Sequence, residues 1–130
     1  MKRRLVYFAL TAMCFIVCIL IVKLFSNNQF IRGFTGDIVV ILLIYFFIKI
    51  FNDFSPIKLA VFMLLLAFAT EFLQYLKLIS ILGLEQNAFA QLIIGAVFDP
   101  LDLIAYTIGV ITVYTVDVRL ITEKVQYEKN

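Results

Sequence analysis

Four long apolar runs separated by short polar breaks organise the chain. The first runs from Leu5 to about Phe25 and gives way to Ser26-Asn27-Asn28-Gln29. The second is expected from Asp37 to Phe51, with Thr35-Gly36-Asp37 as its capping turn. Asn52-Asp53-Phe54-Ser55-Pro56 then breaks the pattern. Ser55 as N-cap and Pro56 at the first helical position start a third run, to about Leu78. The fourth runs from Pro100 to about Val118. Each run except the second is near the roughly 20 apolar residues that a membrane helix needs. Between the third and fourth lie a polar turn at Gly83 to Asn87 and an apolar stretch at 88–98, about half the crossing length.

This pattern predicts an all-α fold: a polytopic membrane helical bundle of about four transmembrane helices in one domain, 1–130. The expected spans are 5–25, 37–51, 56–78 and 100–118, with a short re-entrant or interfacial helix at 88–98. Open sheet edges cannot be satisfied in lipid, and the chain is short for a closed barrel. A fifth crossing over 79–98 is the rival topology. It would bury Glu85-Gln86-Asn87 and move the basic tail to the other side. The first run is longer than a signal-peptide core and ends without a small-residue cleavage pattern, so it reads as a span.

Composition agrees. Hydrophobic residues make up 64% of the 130 and charged residues 15%, far from a soluble average. A net charge of +2 gives no electrostatic case for nucleic acid. No His is present, which removes the commonest transition-metal ligand and proton shuttle. Cys14 and Cys18 lie on one helix face and read as packing residues. With four spans, Lys2, Arg3, Arg4, Lys49, Lys58, Arg119, Lys124 and Lys129 share one side, against Lys23, Arg32 and Lys77 on the other. The positive-inside rule then puts both termini in the cytoplasm of a multi-pass inner-membrane protein.

The polar residues inside the runs carry the candidate chemistry. Glu71 lies about 15 residues into the third span, ~22 Å from its cytoplasmic start. Gln74 follows on the same face. Asp99 and Asp102 open the fourth span, Tyr106 lies one turn on, and Asp37 opens the second span with Arg32 before it. Glu71, Asp102 and Asp99 are the candidate catalytic groups. Arg32, Asp37, Gln74 and Tyr106 are the candidate ligand contacts. An ionisable group at membrane depth costs about 2.5–3.5 kcal/mol to insert, so Glu71 needs a partner or a wet cavity. Clustered carboxylates suit a divalent cation, the one cofactor suggested, or a shared proton, and either could serve acid–base work on a lipid-linked substrate. Arg32 suits a phosphate or carboxylate. Plainer roles compete: Asp37, Asp99 and Asp102 as helix caps, Glu71 with Gln74 as interhelical hydrogen bonds, Arg32 as an interface anchor, and Gly95 and Gly109 as close-packing sites.

Arg-Gly-Phe-Thr-Gly-Asp at 32–37, Glu-Phe-Leu-Gln at 71–74 and Phe-Asp-Pro-Leu-Asp-Leu-Ile-Ala-Tyr-Thr-Ile-Gly at 98–109 resemble the small bacterial membrane family catalogued as domain of unknown function 2809. The resemblance spans nearly the whole chain and implies the fold and the choice of residues rather than a reaction. More distantly, Glu71, Gln74, Asp102 and Gly109 fall in the order found in VanZ-like membrane proteins, linked to teicoplanin resistance. Tyr106 stands where those carry Asn, and the Arg that usually precedes the Asp is missing. The shared layout implies cell-envelope work on the outer face.

Three functions fit. One is a binding or enzymatic module acting on an envelope lipid or glycan precursor. Another is a structural or accessory subunit with a membrane-protein partner. The third, a small transporter subunit, ranks last, because the inner halves of the spans read as nearly pure Leu, Ile, Val and Phe, sealed towards the cytoplasm.

Overall fold

The computed structural model describes residues 2–84, 86–88 and 99–123. The chain is a polytopic membrane helical bundle. Four of its helices are long and apolar enough to cross a membrane. They are α1 (Lys2–Leu24), α2 (Gln29–Phe51), α3 (Pro56–Tyr75) and α5 (Pro100–Val116), the last continuing as a π-helical segment over Asp117–Thr122. Between α3 and α5 comes a four-residue helix, α4 (Leu78–Ile81). The short helix expected at 88–98 lies almost wholly outside the described residues, as does Gly95.

The helix starts follow their capping chemistry. Asn28 caps α2, its side chain accepting from the Ile31 N–H at 3.2 Å. Helix 2 therefore begins at Gln29 rather than near Asp37, and Asp37 lies inside it. Gly33 and Gly36 lie inside this helix, where an added methyl group would meet nothing. Pro56 opens α3, although the Ser55 side chain makes no capping bond. Asp99 caps α5, accepting from the Leu101 N–H at 3.0 Å, with Pro100 next. Helix 3 ends in a left-handed turn at Lys77 (φ 53°), whose N–H bonds the Gln74 carbonyl.

Each helix buries one narrow seam and gives the rest to lipid. On α1 the buried residues are Tyr7, Cys14 and Ile21, with Thr11 and Cys18 half-buried between them, a 3-4 spacing. On α3 they are Leu59, Ala60, Met63, Ala67 and Glu71. Helix 2 lies at the centre, packed chiefly against α1 and α5. At Gly109 of α5 a methyl group would come within 3.1 Å of the Ile41 Cβ and 3.3 Å of the Ile38 carbonyl, so glycine permits the close approach of α2 and α5.

Contacts between distant residues fix the topology. Arg3 pairs with Asp53 at 2.7 Å, so the start of α1 and the α2–α3 turn share a side. Tyr7 hydrogen-bonds Asp117, which brings the end of α5 to that same side. Helix 3 leaves this terminal side and α5 returns to it. The end of α3 and the start of α5 thus both lie on the opposite side.

Candidate functional site

Two buried polar clusters occupy the two ends of the α2–α5 seam. Asp37, Ile41, Tyr45 and Lys49 recur every four residues along α2, and Asp102, Tyr106, Gly109, Val113 and Asp117 follow the matching row on α5.

The cluster on the side opposite the termini brings together acids from three helices. Asp102 is its hub, within hydrogen-bonding reach of both Asp37 and Glu71. The Tyr106 hydroxyl donates to Glu71 Oε1 at 3.3 Å. Asp99 stands close enough for its charge to act on Asp37, Glu71 and Asp102. Burial is graded: Asp99 is exposed, Asp37, Asp102 and Tyr106 are half-buried, and Glu71 retains 1% exposure. Among the described residues Glu71 Oε2 accepts no hydrogen bond, although the Asp99 backbone N–H lies close to the carboxyl group. Carboxylates in such contact repel unless a proton or a cation lies between them.

Of the residues singled out in sequence, Asp37, Glu71, Asp99, Asp102 and Tyr106 thus meet. Gln74 lies one turn beyond Glu71, half-buried. Arg32 does not join them: it is exposed in the first turn of α2 and forms no ion pair among the described residues. Asp37 caps nothing, since it sits two turns inside α2, whereas Asp99 does cap α5. Among the described residues no three Asp, Glu or Cys side chains gather tightly enough to hold a metal ion.

The second cluster, on the terminal side, escaped the sequence reading and corrects it. The half of the bundle on the terminal side is not purely apolar. Asp117, fully buried, accepts hydrogen bonds from the hydroxyls of Tyr7 (2.5 Å) and Tyr45. Lys49, 2% exposed, lies 3.4 Å from Asp117 Oδ2 and donates to the Phe54 carbonyl at 2.6 Å. Its ammonium also sits 5.5 Å from the Tyr7 ring centre, within cation–π range. This charge pair is well satisfied, tying α1, α2 and α5 together. In sequence Lys49 enters only the count of loop charges, and Asp117, near the end of the fourth run, is not singled out. The available signal was their spacing: Lys49 falls four residues after the seam residue Tyr45, and Asp117 four after Val113. A π-helical segment begins at Asp117. Just outside the membrane, the Arg3 hydrogen bond holds the Asp53 carboxyl below the usual carboxylate range.

Between the clusters lies an apolar layer of Ile41, Gly109, Val110 and Val113, about 12 Å deep along α2 from Asp37 to Tyr45.

A family model described as "Protein of unknown function (DUF2809)" matches residues 26–110. That stretch contains every member of the acid cluster, and of the second cluster Tyr45 and Lys49 but not Tyr7 or Asp117. No curated protein and no solved structure matches the chain.

Proposed function

The chain belongs to the DUF2809 family, and we propose that it is a membrane-embedded binding module of the bacterial cell envelope. In this reading the acid recess formed by Asp37, Glu71, Asp99 and Asp102 receives the polar group of an envelope lipid or glycan precursor. One observation carries it: Glu71 is almost wholly buried, with an oxygen that accepts no hydrogen bond among the described residues. A buried, unsatisfied carboxylate oxygen costs at least about 1–3 kcal/mol, more when charged. A structural hydrogen bond would have found its second partner, as Asp117 does. A ligand group that completes the bonding removes this cost. The excess of Lys and Arg on the terminal side supports placing the recess on the outer face of the inner membrane. The VanZ-like order of Glu71, Gln74, Asp102 and Gly109 supports envelope work.

Complementation of a deletion strain tests the proposal. Glu71→Ala and Asp102→Ala are expected to abolish rescue of its envelope phenotype while the protein is still inserted at normal levels. Full rescue by both variants ends the proposal.

The terminal-side cluster favours a second reading, a small transporter, because polar groups now occupy both halves of the bundle. The apolar layer of Ile41, Val110 and Val113 opposes it in a single copy. No ion flux is expected from the protein reconstituted in liposomes; flux lost in Asp117→Asn would put the transporter first.

A further inference from the structure

We infer that the group received by the acid recess is an organic cation, a primary ammonium or a guanidinium, carried by the ligand. This rests on the binding reading above and gives its ligand class. The first ground is a missing counter-charge. Carboxyls from α2, α3 and α5 converge on Asp102, yet the chain holds no Lys or Arg anywhere from 78 to 118. The basic residues on that side, Lys23, Arg32 and Lys77, are all exposed, and among the described residues none pairs with the recess. Lys49 is buried, but at the far end of the seam on Asp117.

The second ground is Oε2 of Glu71, buried beside Asp102 and without a hydrogen bond among the described residues. An organic cation supplies both a donor to this oxygen and a charge that a shared proton between the half-buried carboxyls above it would only partly replace. An ammonium brings three donors and a guanidinium five, each with its charge. A compact divalent metal fits less well. It takes six or more oxygen ligands at about 2.0–2.6 Å, whereas these carboxyls make pairwise contacts through Asp102 and do not gather as a metal cluster. A phosphate or other anion would meet like charge from every wall.

Calorimetric titration of the full-length protein in maltoside micelles, which carry no amine, tests this. The probe is ethanolamine, with phosphatidylethanolamine-doped micelles, inorganic pyrophosphate and Mg2+ as further arms. Saturable, heat-evolving uptake of ethanolamine is expected. It should weaken about 10-fold or more in Glu71→Gln, which loses a charge-assisted hydrogen bond. Asp99→Asn keeps the helix cap, so it folds, and should weaken binding by a smaller factor. Competition by phosphatidylethanolamine identifies a lipid headgroup as the source; ethanolamine binding without it identifies a soluble amine. Both support the inference. Uptake of pyrophosphate instead of amine overturns it, as does displacement of ethanolamine by equimolar Mg2+, or amine binding indifferent to both substitutions. Silence of ethanolamine and of its lipid also overturns it, while leaving the complementation test of Glu71 and Asp102 to decide the binding reading separately.

Discussion

Asp117 is held from three sides, by Tyr7, Tyr45 and Lys49. Removing one member of a buried charge pair strands the other, at a cost of about 3–5 kcal/mol. Lys49→Met and Asp117→Leu should each lower unfolding free energy in mixed micelles by that order. The double variant should recover much of the loss, because two apolar side chains replace a paired charge. Additive losses would mean the two residues do not act as a pair. The sequence hid this pair and displayed the other cluster for one reason. Charges near the ends of apolar runs look like loop charges, whereas Glu71 sits too far inside its run to be mistaken for one. Asp37 shows the reverse error, since a Gly-Asp pair resembles a cap until Asn28 is seen to cap the helix earlier.

At the level of the elements, the α2–α5 contact at Gly109 sets the spacing of both clusters. Gly109→Ala places a methyl 3.1 Å from the Ile41 side chain and 3.3 Å from the Ile38 carbonyl. A destabilisation of about 1–3 kcal/mol is expected, and Ile41→Val, by trimming the neighbour, should return part of it. No rescue would place the strain at the Ile38 backbone instead. The turn ending α3 offers the opposite case. Lys77 adopts a left-handed conformation that only glycine takes freely. Lys77→Gly should therefore stabilise by up to ~1 kcal/mol; a loss of stability in the same melt would show that the lysine side chain anchors the turn. The spans themselves were legible because lipid demands long apolar runs. Their ends were less so: α2 starts earlier than its hydropathy suggests, since a membrane helix extends into polar loops where caps, not burial, decide the boundary.

For the whole molecule, Arg3 and Asp53 fasten the start of α1 to the α2–α3 turn. The lowered pKa of Asp53 means its contribution is fully present above the ordinary carboxylate value near 3.8 and is lost as pH falls through the lower folded value. The pair is exposed, so the effect is small. Asp53→Asn should leave stability near neutral pH little changed and flatten the acid limb of the melting profile. An unchanged acid limb would assign the loss to other groups. The four-span topology followed from hydropathy and loop charge. The bringing together of Asp37, Glu71 and Asp102 also followed, because each lies towards the same end of its span. What could not be read was that Asp102 bridges the other two and that Glu71 retains an unpartnered oxygen. Both depend on side-chain packing that periodicity alone does not encode.

Glu71 separates a binding site from a structural one, and the isosteric Glu71→Gln variant puts the two in direct opposition. Its unfolding free energy in mixed micelles and its rescue of the deletion strain are measured on the same protein. Stability equal to or above the native value, with rescue abolished, is the result expected of a carboxylate kept for a ligand. Stability lowered by more than about 1 kcal/mol with rescue intact would contradict the account and make Glu71 part of the scaffold.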